Sequence, residues 1–282
     1  MHTTEYHFNR PVSACRLEAR LRPRQMDGQK CDHFQIVTQP LSDDQHSVLD
    51  FLGNPVDYLL IQSELQRLLI SAISTVEIKR LAAVPEVASI PWQNAVSENA
   101  RHPDRQLFCQ ATALVPIGGK LSDYARALFV QDKPLLMAVA DLSDQIHRDL
   151  RFKAGITDVS TPASTVLDRR QGVCQDFTHL ALACLRSLGL SARYVSGYVH
   201  TAAFRGKAHR IAQDASHAWF EIHDPQCGWV GFDPTNGRRV DDRYVVVAWG
   251  RDYDDICPLR GTFAGGTTQS LHVSVDVQEI SG

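Results

Sequence analysis

The amino-acid sequence predicts an α+β protein in two parts. A β-rich amino-terminal domain is expected at residues 1–125, and a second domain, with a helix packed on an antiparallel sheet, at residues 126–282. Three observations predict this arrangement: alternating apolar residues in the first part, amphipathic helical patterns after it, and two further alternating runs joined by a short turn. A period of two is typical of half-buried strands, whereas a period near 3.6 is typical of helices.

Composition places the chain among ordinary globular proteins. Its 282 residues are 44% hydrophobic and 22% charged, with a formal charge of −3 and a pI near 6.4. This charge gives no reason to expect nucleic acid or an anionic membrane as a partner. No apolar run approaches the roughly 20 residues that span a bilayer, and "MHTTEYHFNRPV" lacks the pattern of a secretory signal. We therefore expect a cytoplasmic protein that binds neither nucleic acid nor membrane.

The cysteines do not form a disulfide pattern. There are seven, an odd number without regular spacing and without a C-x-x-C pair that would suggest a zinc ribbon or a redox couple. A free buried cysteine behaves as a small hydrophobic residue. Reduced thiols of this kind are the simplest interpretation of Cys15, Cys31, Cys109, Cys184, Cys227 and Cys257.

Strands are predicted in the first part. "FQIVTQ" at 34–39 alternates, as does much of the run from 56, and "GN" at 53–54 marks a turn. The stretch 63–73 also fits a helical spacing, but the β-branched residues just after it favour a strand. Residues 85–120 contain four prolines and two adjacent glycines, which predict a connecting region with a short helix.

Two helices are predicted in the second part. The run 133–152 has one apolar stripe, formed by Leu135, Val139, Leu142 and Ile146. The run "GVCQDFTHLALACLRSLGL" has a second, formed by Phe177, Leu180, Ala181, Cys184, Leu185 and Leu188. Gly189 stands where a left-handed C-cap is expected, and Gly172 is expected to adopt unusual backbone angles that let the chain enter the helix sharply.

Cys174 falls in the first turn of this helix, on the edge of its buried face. Unpaired N–H groups and the positive end of the helix dipole favour a thiolate there, and thiolate is the reactive form of cysteine. The same N–H groups could stabilise an oxyanion next to the sulfur. Because a cysteine at a helix start is more often structural, the interpretation of Cys174 as a catalytic nucleophile needs a second observation.

That second observation is a predicted hairpin. Alternating runs at 217–224 and 228–235 flank the turn "PQCG". If Asp224 lies opposite Gly228, then Trp219 lies opposite Asp233, and His217 is a diagonal neighbour of Asp233 on the same face. His217 would then accept the thiol proton, and Asp233 would orient the imidazole and favour its charged form.

The same segments carry a resemblance to a known family. "GVCQDFTHLALACLRSLGLSARYVSGY", "HAWFEI", "GWVGFDPTNG" and "GRDYDDICPLRGTFAGG" resemble the bacterial transglutaminase-like family, whose members are often described as cysteine proteases. The resemblance covers about residues 130–280, and the first half resembles the β-rich region that accompanies this core. It implies a papain-like, transglutaminase-like α+β fold with a triad at Cys174, His217 and Asp233. The upstream tryptophan of larger animal transglutaminases has no counterpart just before Cys174.

Other polar and aromatic residues are weaker candidates. Trp219, Tyr198, Asp176 and His179 are assigned to the substrate pocket, although a packed strand residue, a core aromatic or a hydrogen-bonded helix residue is an equally simple interpretation. Asp252, Asp254 and Asp255 lack the spacing of an EF-hand and are expected to be solvated turn carboxylates. The scattered His200, His209 and His223 define no zinc site, so the sequence predicts no metal and no cofactor.

The predicted chemistry is attack by a thiolate on an amide carbonyl of a peptide, a protein or a small amide, giving a thioester. Water would complete hydrolysis, and a second amine would complete a transglutaminase reaction. Because retaining an amine needs a partly dry tunnel that no pattern here predicts, a cysteine protease or amidase is expected ahead of a transglutaminase. A noncatalytic binding module is the third alternative.

Overall fold

The structure is a computed structural model that describes residues 1–79, 85–200, 216–265 and 269–280. The strands are β1 His2–Ala19, β2 Gln29–Gln39, β3 Asp44–Leu49, β4 Pro55–Ile61, β5 Leu65–Ile78, β6 Arg151–Phe152, β7 Gln171–Gly172, β8 Ala192–Val199, β9 His217–Asp224, β10 Gly228–Asp233, β11 Arg238–Arg239, β12 Tyr244–Gly250, β13 Leu259–Gly265 and β14 Gln269–Val275. The helices are α1 Trp92–Asn99, α2 Pro103–Gln106, α3 Gly119–Arg126, α4 Leu135–Asp149, α5 Ala163–Arg169 and α6 Cys174–Ser187.

The first sheet is built around the long strand β1. Strands β5 and β4 pair with successive parts of the same edge of β1, β5 with its earlier and β4 with its later residues, and β2 and β3 pair with β5 and β4 in turn, all antiparallel. The residues of β1 that point inward pack with those of β4 and β5 into a core that includes Leu17, Ile61 and Leu68. The strand interpretation of residues 63–73 is therefore confirmed, and the helical alternative is wrong.

The second sheet carries the predicted helix and hairpin. Its order is β11-β10-β9-β8-β12, again antiparallel throughout. Helix α6 covers one face, where Phe177 and Leu180 pack with Ala218 and Phe220 of β9 in the larger apolar core. Gly189 has a φ of +80°, as its expected C-cap position requires. The α+β class, with a strand-rich first part, is confirmed.

The last two strands depart from the predicted division of the chain. The division groups residues 259–275 with the second part, but β13 pairs with the later residues of β1 and β14 with its earlier residues. Both strands therefore extend the first sheet. Alternation in a sequence predicts a strand without naming its partner, so the pattern could not distinguish the two sheets.

The connecting region is more helical than expected. The sequence predicts one short helix between residues 85 and 120, whereas α1, α2 and the start of α3 all lie there. Proline precedes α1 at Pro91 and opens α2 at Pro103. Proline is well suited to the first turn of a helix, so these residues mark helix starts rather than continuous loop.

Side-chain amides join the two sheets. Strand β12 is at the edge of its sheet, so within the described residues one side of it has no neighbouring strand in that sheet. The Gln29 side chain accepts from the Val246 N–H at 2.7 Å and donates to the Val246 carbonyl at 2.8 Å. Asn54 does the same at Trp249, with both distances 2.9 Å. These amides take the place of a neighbouring strand and fix the first sheet against β12.

Candidate active site

Helix α6 begins at Cys174, which is half-buried and carries a free thiol. Its first turn is held by Asp176, whose Oδ2 accepts from the Val173 N–H at 2.7 Å and from the Thr157 hydroxyl at 2.7 Å. The Gln175 amide donates to the Val159 carbonyl at 3.0 Å. Both side chains therefore hold the loop before α5 against the start of α6, while the N–H groups of the first turn lack helical acceptors.

Gly172 has a different role from the expected one. Its φ is not in the left-handed region, but a Cβ there would lie 2.6 Å from both Cβ and Oδ2 of Asp176. The absence of a side chain therefore leaves room for the capping carboxylate. The prediction that Gly172 is needed for unusual backbone angles is therefore wrong.

Gly172→Ala is expected to displace the Asp176 carboxylate and to lower the free energy of unfolding by about 1–2 kcal/mol, because a helix cap is lost and a tight contact is created. Urea denaturation measures the loss. Thr157→Val is the matched control, since it removes one hydrogen bond to the same carboxylate without a clash and should cost less. Equal losses in the two variants would contradict the steric explanation.

The hairpin brings His217 to Asp233. The pairs Gly228–Asp224 and Phe232–Phe220 confirm the predicted register, and His217 Nε2 donates to Asp233 Oδ2 at 2.8 Å. Both side chains are almost completely buried. His217 Nδ1 has no hydrogen bond of good geometry within the described residues, yet the Cys174 thiol is close enough to affect the ionisation of this ring.

Several donors hold the Asp233 carboxylate. Oδ1 accepts from the backbone N–H groups of Thr235 at 2.9 Å and Asn236 at 3.2 Å. Oδ2 accepts from the Asn236 amide at 2.6 Å and the Tyr244 hydroxyl at 2.8 Å, in addition to His217. Burial alone would raise the pKa of Asp233, but His217 and these donors lower it, so the group is a fixed anion.

The charge of Asp233 in turn sets the protonation of His217. Burial by itself lowers the pKa of His217, but the charge and hydrogen bond of Asp233, with a smaller contribution from Cys174, raise it to about 10. The ring is therefore an imidazolium at neutral pH. This imidazolium donates to the Asp233 carboxylate through Nε2 and lies near the Cys174 thiol. A buried cation in this position is suited to stabilise a thiolate.

Tyr244 and Asn236 are the two site residues that sequence reasoning missed. Asn236 lies in the quoted block "FDPTNG", three residues after Asp233, which is a spacing that often lets a side chain close a turn. Tyr244 is on β12, beyond β8 in the sheet, and no local pattern connects it with Asp233.

Trp219 and Gly197 shape the buried side of the His217 ring. The Trp219 indole is fully buried and packs edge-on against Tyr244, with ring centroids 5.3 Å apart. A Cβ on Gly197 would lie 2.6 Å from Trp219 and 1.9 Å from the Val245 carbonyl. The absence of a side chain at Gly197 therefore leaves room for the Trp219 ring over β8, and Trp219 packs beside the His217 ring.

The other predicted pocket residues lie elsewhere around the site. His179 is buried in α6, accepts from the Tyr253 N–H at 3.2 Å, and has its pKa lowered to about 3 by burial. Tyr198 contacts His2, with 3.1 Å between its hydroxyl and Nδ1, at the junction of the two sheets. Asp176 caps α6. Their assignment to a substrate pocket stays a prediction.

The aspartates near residue 252 are not all solvated turn carboxylates. Asp252 is buried and caps a short turn by accepting from the Asp254 N–H at 3.0 Å. Asp255 forms an ion pair with Arg251 at 2.8 Å.

His223 is buried against Trp229, His200 lies at a strand end, and His209 falls outside the described residues. Within the described ranges, no group of three His, Cys, Asp or Glu side chains is arranged to hold a metal ion.

Comparisons with known proteins agree with this architecture. Residues 122–234 match the family described as the transglutaminase-like superfamily, and residues 1–77 match the bacterial transglutaminase-like N-terminal region. The chain belongs to the transglutaminase-like superfamily and includes the N-terminal region typical of its bacterial members.

Individual relatives cover different parts of the chain. An uncharacterized protein of Mycobacterium tuberculosis is 35% identical over 289 aligned positions, which cover 100% of this chain and 92% of the relative. A protein-glutamine gamma-glutamyltransferase of Pseudomonas aeruginosa is 27% identical over 124 positions, 43% of this chain and 18% of that protein. The solved structure of a "Putative Cysteine Protease from Cytophaga hutchinsonii" is similar over 99% of this chain and 91% of its own, with a TM-score of 0.72 and 20% identity. That likeness extends the shared fold to nearly the whole chain.

Among the described residues, no helix is long and apolar enough to cross a lipid bilayer.

Proposed function

We propose that the protein is a cysteine amide hydrolase, a protease or amidase, that acts through Cys174, His217 and Asp233. One observation carries the proposal: a buried imidazolium, held by a fixed carboxylate, lies at a half-buried cysteine in the first turn of a helix. Nucleophile, base and orienting group are thus present in one place, in the arrangement that covalent acyl transfer requires.

In the first half of the reaction, the Cys174 thiolate attacks the carbonyl carbon of an amide, and a C–S bond forms. The negative charge that develops on the carbonyl oxygen is stabilised by the Cys174 N–H at the positive end of α6. The His217 imidazolium then gives its proton to the amide nitrogen as the C–N bond breaks, so the leaving group departs as a neutral amine or ammonia.

In the second half, His217 accepts a proton from water, and the resulting hydroxide attacks the thioester carbonyl. The C–S bond breaks, the acid product leaves, and the proton on His217 again faces a Cys174 thiolate. Asp233 remains an acceptor throughout, because its other hydrogen bonds hold it as a carboxylate.

Amine transfer is the alternative, favoured by the local similarity to a protein-glutamine gamma-glutamyltransferase. An amine would then replace water at the thioester. We rank hydrolysis first because water is always present, whereas transfer needs a site that retains the amine. A scaffold with an unused site, the third candidate, has no need for the set of donors around Asp233.

The first test is the rate of Cys174 alkylation by iodoacetamide from pH 4 to pH 9, followed by peptide mass mapping. We expect the rate to reach its plateau below neutral pH, because the His217 imidazolium stabilises the thiolate, and His217→Ala should remove the plateau. Cys31 and Cys227 are internal controls. Burial raises the pKa of both thiols, so both should react slowly at pH 6.

A Cys174 profile that matches these control cysteines would contradict a preformed ion pair. If the plateau is present, release of ammonia or amine from amide substrates is then compared with and without hydroxylamine. Acid as the main product supports hydrolysis, whereas hydroxamate as the main product supports amine transfer.

A further inference from the structure

Strand β3 leaves one backbone edge of the first sheet open. Its six residues, Asp44–Leu49, pair with β4 on one side, and within the described residues no strand pairs with its other side. All six residues are exposed, so neither face of β3 is covered. A strand with one open edge is a template for pairing with a strand of another chain.

The hydrogen bonds around β3 indicate which of its backbone groups face outward. Leu49 pairs with Pro55, and one step further the Asp50 N–H donates to the Asn54 carbonyl at 2.9 Å. Hydrogen-bonded pairs alternate with non-hydrogen-bonded pairs in an antiparallel ladder, so the even-numbered residues of β3 bond inward to β4. Pro55 has no N–H and therefore fits the non-hydrogen-bonded position opposite Leu49. The N–H and C=O groups of the odd-numbered residues of β3 point outward.

Exposed apolar side chains are concentrated around this edge. Among the described residues, four large apolar side chains are at least 70% exposed: Leu41 at 76%, Leu49 at 70%, Phe51 at 75% and Ile280 at 73%. The first three lie at or beside β3, with Leu41 before the strand and Leu49 and Phe51 at its other end. Burial of such side chains is favourable, so a partner would gain both hydrogen bonds and apolar contacts here.

The charges on β3 favour a second copy of the same strand as that partner. Two copies related by a two-fold axis pair antiparallel, and the backbone hydrogen bonds form only where outward residues lie opposite outward residues. With Gln45 opposite itself, Asp44 of each copy lies opposite His46 of the other, so a carboxylate and an imidazole meet twice. The two adjacent registers set Asp44 opposite Asp44 or His46 opposite His46, which brings like charges together. Asp44 and His46 of one chain are already 3.5 Å apart, so the favoured register forms a square of alternating charges.

We propose that the protein forms a two-fold symmetric dimer in which two β3 strands pair antiparallel, with Gln45 opposite Gln45. The two first sheets then form one continuous sheet across the interface. An antiparallel pair also brings the start of one strand beside the end of the other, so Leu41 of one copy approaches Leu49 and Phe51 of the second. Because this edge contains none of the three proposed catalytic residues, the dimer does not depend on the proposed function.

Disulfide crosslinking tests the register, in the full chain with Cys174→Ala to remove the reactive thiol. The Cα atoms of a hydrogen-bonded antiparallel pair are about 5.5 Å apart, which a disulfide can span. Gln45→Cys should therefore give a dimer linked through residue 45 upon mild oxidation, identified by a nonreducing gel and peptide mass mapping. Ser47→Cys is the matched control on the same edge, since its two copies would be about 13 Å apart and should not crosslink. Crosslinking at residue 47 as fast as at residue 45, or at neither, would overturn the inference.

Sedimentation equilibrium tests the charge pairing at pH 6, where imidazoles are mostly charged. The mass of the unchanged chain should rise from 31.4 kDa toward twice that value as its concentration is raised from micromolar to submillimolar. Asp44→Lys should weaken the dimer by about tenfold or more, because the new cation faces His46. Exchanging the charges, with Asp44→Lys and His46→Asp together, should restore it, and both positions are exposed, so neither variant should unfold. A monomer at every concentration, or equal dissociation constants for the single and exchanged variants, would contradict the pairing.

Discussion

Asp233→Asn is expected to lower the alkylation rate of Cys174 at pH 6 by about a hundredfold, since an ordinary thiol is only about 0.3% ionised there. The carboxylate is what keeps His217 charged. Without it, burial dominates and moves the pKa of His217 below its usual value, so the imidazolium no longer stabilises a thiolate. Hydrolysis of any substrate should fall on the order of 10³-fold, because the ring also loses its orientation.

The same pair affects stability in a defined pH range. The pKa of His217 is raised in the folded protein. Its contribution to the free energy of unfolding is therefore fully present below pH 6.5, near its pKa in the unfolded chain, and is lost as the pH rises toward about 10. The pKa of Asp233 is lowered, so its contribution is lost in acid. The difference in unfolding free energy between wild type and Asp233→Asn should therefore be largest at about pH 5–6.5.

Asp224→Asn is the matched control for Asp233→Asn. Asp224 is equally buried in the same hairpin and accepts from the N–H groups of Gln226 and Cys227, but it does not contact His217. Its substitution should affect stability and leave the alkylation profile unchanged. If both variants lost the plateau, a general disturbance of the hairpin would explain the result, and the assigned role of Asp233 would be wrong.

Glu221→Ala is expected to lower the unfolding free energy by about 3–5 kcal/mol, because it leaves a buried cation without its partner. Glu221 accepts from Arg193 at 2.7 Å, and the two side chains are only 5% and 6% exposed. The Arg193 guanidinium is also stacked between Trp229 at 4.2 Å and Trp249 at 3.6 Å, so it cannot turn out to water. Urea denaturation at pH 7 measures the loss.

Two controls separate burial from the loss of an ion pair. Glu98→Ala removes the partner of Arg101 in an exposed pair and should cost less than about 0.5 kcal/mol. The double variant Arg193→Met, Glu221→Leu removes both buried charges and should recover most of the stability. A double variant as unstable as Glu221→Ala would show that shape, rather than the isolated charge, determines the cost.

The sequence predicts those parts of the site that depend on local periodicity. Helix α6 follows from its apolar stripe, and the contact of His217 with Asp233 follows from counting residues away from the turn between β9 and β10. Both features are set within about twenty consecutive residues. Alternation and helical spacing carry this kind of information directly.

Long-range contacts are not encoded in such patterns. The Tyr244 hydroxyl on β12 reaches Asp233 on β10 across β8 and β9, and the Trp219 ring beside it lies where a Cβ on Gly197 would clash. The steric role of Gly172 likewise depends on where the Asp176 carboxylate lies. The return of β13 and β14 to the first sheet is a third example, since a strand pattern does not identify its partner.

The position of β1 constrains how the chain can fold during synthesis. Thr3 pairs with Ser71 on one side and with Ser274 on the other, so β1 acquires its second neighbouring strand only after the chain has been synthesised as far as β13 and β14. Until then, β1 can pair with β4 and β5 on one side, while its other edge is open to foreign strands. Contacts between such distant residues slow folding. Nascent chains that stop before β13 should therefore be the aggregation-prone species during synthesis.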